Sequence, residues 1–301
     1  MRYTTNQMKK LLFLFCFTPM WLMAQEDLLN ELESEATPDT QVTAAFKGLK
    51  VVNFESTKLA AKKDFYFIVS HRFGTVKNGF DDLFGLDNAV TQLKFVYGIC
   101  DGLNIGIARS SLQKKYGFHV KYRLFQQEEG KMPVTIVGYN LGTINTALEK
   151  DLLPNLEFQD RLAYTSQILV SRKVNNNLSV LLAPTFIHEN LATRSIENVD
   201  ETTVIFHDED NNQFAIGLGA RYKLGKRWSL NMDYGAHLNR NDNSNFKNPL
   251  SIGIDLETGG HVFQMHFTNA QAMFEEGFLI QGQGDWGDGD FFFGFNLSRV
   301  F

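Results

Sequence analysis

The sequence predicts an all-β fold: a single antiparallel, transmembrane, up-and-down β-barrel of about twelve strands, with short turns at one end and longer loops at the other. Three observations predict it. Apolar and polar residues alternate over segments of about nine to eleven residues, the length that crosses a bilayer when tilted. Short and long connections between these segments take turns along the chain. The chain closes on DFFFGFNLSRVF, an alternating segment with a terminal aromatic. Composition agrees: 27 Phe and 24 Gly stand against 6 Pro and 2 Cys in 301 residues. The mean hydropathy of -0.20 is too low for many helical membrane spans. The apolar content argues against disorder, and the cysteine count excludes a disulfide scaffold.

Residues 1–24 read as a secretory signal peptide. Arg2, Lys9 and Lys10 precede the apolar run Leu11–Phe17, and Ala24 supplies a small residue at the cleavage point. Their removal takes the formal charge from -5 to -8 and leaves Cys100 as the one cysteine, so no internal disulfide forms. Residues 25–62 form an acidic N-terminal periplasmic segment. Its first part, 25–41, carries six acidic and no basic residues. Its second part, 42–62, alternates partially, as a plug in the lumen, an added strand or a tether. The barrel domain spans 63–301. The nearly neutral body offers no basic patch for nucleic acid.

The predicted strands are 64–73, 89–98, 103–110, 117–125, 133–142, 159–171, 178–188, 214–223, 228–238, 248–256, 261–269 and 290–301. The clearest is 214–224, where Phe214, Ile216, Leu218, Ala220, Tyr222 and Leu224 share one face. Gly217, Gly219, Arg221 and Lys223 share the other. Short connections fall near Asp101-Gly102 and at 126–132, 174–177, 224–227 and 257–260, and suit tight hairpins. The connections 74–88, 143–158, 189–213 and 270–289 are longer. An even strand count places both ends of the barrel on the periplasmic side. Tyr97, Tyr222, Trp228 and Phe301 fall at the short-turn ends, where an interfacial aromatic girdle sits.

The last strand places Phe291, Phe293, Phe295, Leu297 and Phe301 on one face. Phe293, Phe295, Leu297 and Phe301 are the expected insertion signal for the barrel-assembly machinery, and Arg299 interrupts the face where it can snorkel to the interface. The segments KDFYFIVSHRFG, DLFGLDNA, KYRLF, RLAYTSQILVSRK, ETGGHVFQMHFTNAQAMFEEGF and GDFFFGFNLSRVF resemble an uncharacterised family of Gram-negative outer-membrane β-barrel proteins over roughly 42–301. HVFQMHFTN and FGFNLSRVF are the most specific. The resemblance implies the fold, export to the cell outer membrane and contact with its lipid bilayer. It implies no activity.

Alternation turns Arg72, Lys94, His119, Lys121, Arg123, Arg161, Arg221, Lys223, Asp233, Asp255, Glu257 and His266 toward the lumen. Twelve strands give a backbone diameter of roughly 24 Å. A wall of opposed charges fits a channel or porin-like conduit for small polar solutes. The same charges, paired across a filled lumen, fit a closed barrel that anchors or docks a partner. A barrel-rim hydrolase is a second alternative, with His207 and Asp208 activating water. No nucleophile elbow, HExxH or paired-cysteine motif supports an enzyme. His207-Asp208-Glu209-Asp210 and the acids of GDWGDGD hint at Ca²⁺, but acidic turns are the commoner meaning of such runs. The expectation is no metal, no cofactor and no catalytic residue.

Overall fold

The computed structural model describes residues 45–198 and 203–301. The signal peptide and the acidic stretch 25–41 lie outside the described residues. Among the described residues, twelve of the fourteen strands close into one barrel. In chain order they are β1 (Phe65–Thr75), β2 (Ala89–Cys100), β3 (Leu103–Ser110), β4 (Lys115–Phe125), β5 (Thr135–Asn145), β6 (Leu162–Lys173), β7 (Leu178–Glu189), β10 (Asn212–Lys223), β11 (Trp228–His237), β12 (Leu250–Thr258), β13 (His261–Thr268) and β14 (Phe292–Val300). Consecutive barrel strands pair antiparallel, and β1 pairs with β14 to close the ring. Closure removes the unpaired edges that an open sheet would expose to lipid.

Each expected strand is present. The sixth begins at Leu162 rather than 159, because Gln159–Arg161 form a 3-10 turn. Two further strands, β8 (Arg194–Asn198) and β9 (Val204–Asp208), make a hairpin in the loop after β7, outside the barrel sheet. The connection after β13 carries a six-residue helix, α1 (Glu275–Ile280).

Period-two burial runs along the barrel strands, as β10 and β11 show. Phe95, Phe118, Phe214, Met232, Phe263 and Phe267 stand on the exposed outer wall. Tyr97, Tyr222, Trp228 and Phe301 are also exposed, at the short-turn end. Their burial against lipid is the hydrophobic term that holds such a wall in a bilayer.

The lumen is not lined by charged residues alone. Val137, Tyr139, Leu141, Leu169, Leu181, Ala183 and Ile187 point inward from β5, β6 and β7 and join one apolar cluster. The cluster is completed by Phe46, Val51 and Phe54 from the N-terminal segment and by Phe274, Phe278, Leu279 and Ile280 around α1. Several phenylalanines therefore face the interior, where they pack against each other instead of lipid. The inner wall is polar on β11–β14, and β2 and β4 turn Gln92, Lys94, Lys115, His119 and Lys121 inward.

Candidate functional site

The site grows from a turn. Val51 N–H donates to the Phe54 carbonyl at 2.8 Å, and Ser56 N–H donates to Leu49 O at 2.8 Å. Residues 45–60 thus double back as a hairpin inside the barrel. Ala45 and Thr57–Ala61 line a cavity at the short-turn end with Asp101 and Gly102. The tip reaches the middle of β11.

There Asp233 receives it. One carboxylate oxygen, Oδ2, accepts backbone N–H groups from Val52 (3.1 Å), Asn53 (2.7 Å) and Phe54 (3.1 Å). Successive amides converging on an anion form a nest, and the charge strengthens each bond. The Asn53 side chain donates to Ser251 Oγ (3.0 Å) and Thr268 Oγ1 (3.1 Å) and accepts from Arg72 Nη2 (3.0 Å). Gln264 Nε2 donates to Lys50 O and Val51 O, and Asn296 Nδ2 donates to Val52 O. Asn53, Ser251, Gln264, Thr268 and Asn296 were absent from the sequence-derived set. Four of them lie on inner faces that alternation identifies, but they carry no charge to single them out.

One further acid anchors the hairpin stem. Glu55 meets Lys94 at 2.6 Å and Lys121 at 3.1 Å, all three buried. Burial alone would raise the Glu55 carboxyl, but these two cations hold it well below the usual carboxylate range. Phe54 then inserts over Gly217, where a Cβ atom would stand 2.3 Å from the ring. From the opposite end of the barrel, Phe278 of α1 meets Phe54 edge-on, with ring centroids 5.0 Å apart. Lys115 (2.9 Å) and Thr143 (2.5 Å) fix α1 through Glu276. Its neighbour Glu275 is pushed up to about 7 by burial, with Lys50 the main opposing cation.

The structure brings Arg72, Lys94, Lys121 and Asp233 into direct contact with the hairpin. Asp255 bonds Gln264 at 3.1 Å, and Arg221 bonds Ser229 at 3.1 Å. His119 lies against Tyr139, with centroids 5.4 Å apart, and His266 is buried. Glu257 pairs with Lys47 at 2.6 Å, with both side chains about one-third exposed. Arg123 and Lys223 are half-buried at the short-turn end. Arg161 belongs to the 3-10 turn before β6 rather than to the strand, and it borders a cavity at the long-loop end.

That cavity holds about 490 Å³, and the one at the short-turn end about 200 Å³. The apolar cluster of hairpin and α1 occupies the level between them.

The hydrolase pairing is not assembled. His207 and Asp208 are consecutive on β9 and point to opposite sides. His207 Nε2 meets Glu197 Oε2 at 2.9 Å, whereas Asp208 pairs with Arg194. Asp285 caps its own turn through Gly287 N–H and faces Lys247. Among the described residues, no three His, Cys, Asp or Glu are grouped to share a metal ion.

A sheet closed on itself, apolar outside and hydrogen-bonded to its own contents within, defines a membrane-bound β-barrel. The chain belongs to the family described as membrane bound beta barrel domain (DUF5777), whose model matches residues 46–301. No curated protein matches the sequence. Similar solved structures include the NanC porin, at 9% identity and a TM-score of 0.44, covering 79% of this chain and 98% of that one. The KdgM porin in complex with disordered oligogalacturonate is 7% identical, with a TM-score of 0.46 and coverage of 79% and 99%. The COG4313 outer membrane channel from Pseudomonas putida F1 is 14% identical, with a TM-score of 0.44 and coverage of 88% and 99%.

Proposed function

We propose that the protein is a porin-like conduit of the outer membrane for small polar solutes, closed at rest by its own N-terminal hairpin. One observation carries this reading. The hairpin enters and leaves the lumen at the same end, and much of what holds it is hydrogen bonds and ion pairs to a polar inner wall. Such an element can withdraw without breaking a strand, and the wall it uncovers includes Arg72, Lys94, Lys121 and Asp233. Twelve strands bound a space of roughly 24 Å between backbones, narrowed by side chains. In this reading the short-turn end is periplasmic and the long loops are extracellular. This reading gives no residue a catalytic role. Phe293, Phe295, Leu297 and Phe301 serve the barrel-assembly machinery during insertion.

Conductance in planar bilayers tests it. The full chain is expected to conduct weakly, and a chain lacking residues 25–62 to conduct steadily. Silence from both overturns the conduit.

The apolar cluster across the lumen favours a second reading, a closed barrel that docks a partner. It calls for a stoichiometric partner to co-purify from detergent-solubilised envelopes. Recovery of the barrel alone counts against it.

A further inference from the structure

The cavity at the long-loop end has a chemistry of its own. Its volume of about 490 Å³ falls within the roughly 300–1,000 Å³ of small-molecule sites. Gln281 and Gln283, just after α1, line it together with the ends of β4, β5, β6 and β7 and with β8.

Two of the cations on this wall are paired within the protein, and its one buried carboxylate is held by neutral donors. Lys115 pairs with Glu276 at 2.9 Å, and Arg194 pairs with Asp208. Glu189 accepts from Gln213 Nε2 at 3.1 Å and from Thr193 Oγ1 at 3.2 Å. Asp160 and Arg161 bring one charge of each sign. A strongly charged ligand gains little from such a wall.

Neutral hydrogen-bonding capacity is left over. Gln113 spends Nε2 on Gln281 at 3.1 Å, which leaves its carbonyl oxygen as an acceptor. Asn145 spends Oδ1 on Ala147 N–H at 3.0 Å, which leaves its amide nitrogen as a donor. The exposed Gln283 side chain makes no hydrogen bond among the described residues and presents both functions. Arg161 commits one nitrogen to Asn145 O at 3.2 Å and keeps further donors. Phe246 and Leu191 add apolar surface to the same wall. Donors and acceptors interleaved beside apolar patches match a ring that carries hydroxyls on its edge and C–H groups on its face.

We propose that this vestibule binds an uncharged, polyhydroxylated solute, a small sugar. The proposal rests on the conduit reading for its purpose, since the site stands outside the apolar barrier and would fill before any opening. Its binding chemistry stands alone, because occupancy needs no open lumen.

The test uses the full chain in detergent micelles, titrated with glucose, sucrose and maltose by saturation-transfer NMR. Galacturonate and spermidine serve as charged comparators. Saturable binding of at least one neutral sugar is expected, weakened about tenfold, or about 1.4 kcal/mol, in Gln283→Leu and in Asn145→Leu. Asp101→Asn, at the far end of the barrel, should bind like the parent. A heat-modifiable gel band establishes that each variant is folded, and Gln283, on an exposed loop, keeps the test available if Asn145→Leu fails to fold. No saturable sugar binding, tighter binding of either charged comparator, or undiminished binding in folded Gln283→Leu each overturns the site. Sugar binding with silent bilayers sinks the conduit alone. Conductance without sugar binding sinks the vestibule alone.

Discussion

Asp233 concentrates three backbone N–H groups on one carboxylate oxygen at the centre of the barrel. Replacing it with Ala strands those donors in a buried place, and each unsatisfied group costs about 1–3 kcal/mol. Asp233→Ala is therefore expected to loosen the hairpin while leaving the barrel folded. Limited proteolysis between residues 45 and 60 should quicken, and Asp233→Asn, which keeps an acceptor oxygen, should fall between. Equal cleavage of parent and Asp233→Ala contradicts the role given to this carboxylate. At this scale the sequence was informative in part. Alternation turned Asp233, Lys94 and Lys121 inward, because a period of two is a local property of the strand. Their partners Asn53 and Glu55 were not legible, since contacts about 40 to 180 residues apart leave no local trace.

The hairpin and α1 are elements that meet from opposite ends of the barrel, and Gly217 marks how closely the first one approaches the wall. A methyl group there would overlap the Phe54 ring. Gly217→Ala is expected to displace the hairpin tip and raise conductance, and Phe54→Ala should restore closure in the double variant by returning the space. Additive effects of the two substitutions would show that the contact does not hold the tip. Strand β5 shows why the lumen's contents were hard to foresee. Its apolar residues Val137, Tyr139 and Leu141 point inward, while Asn140 and Gly142 occupy the outer face. Where both faces carry apolar residues, as here with Ile136 and Ile144 on the outer one, alternation does not say which face is inside. That choice is made by the hairpin and α1, which supply the inner face with an apolar partner. The hairpin's own sequence alternates only partially because each of its faces meets a different wall.

At the level of the whole molecule, closure depends on the last residues. Phe65 N–H donates to Phe301 O at 3.2 Å and Phe301 N–H donates to Phe65 O at 2.9 Å, joining the two ends of the barrel chain. The Phe301 ring is exposed and lies 4.5 Å from the Arg299 guanidinium. Phe301→Ala keeps both backbone bonds and removes only the outward ring. If that ring serves insertion, the heat-modifiable fraction in outer membranes should drop several-fold, while protein already inserted should show parent-like stability. An unchanged fraction removes Phe301 from the insertion signal. The barrel class was the most legible feature of all. Strand length, alternation and the rhythm of connections repeat twelve times, so local errors such as the start of β6 do not alter the count.

The hairpin's attachment has a mechanical consequence. Its exit is fixed to β2, where Lys63 N–H donates to Gly98 O at 2.8 Å and Gly98 N–H donates to Asp64 O at 3.0 Å. A side chain at Gly98 would collide with the Ala61 carbonyl, so this joint is also tightly fitted. With one leg clamped, a pull on the other leg at Ala45 loads the bonds in series. The Lys47–Glu257 pair takes the load first, then the Lys50 and Val51 carbonyls held by Gln264, and the Asp233 nest last. A pressure from the long-loop end would load them together. The same fastening is weak to peeling from the short-turn side and strong to pushing from the other, which makes it a one-way catch.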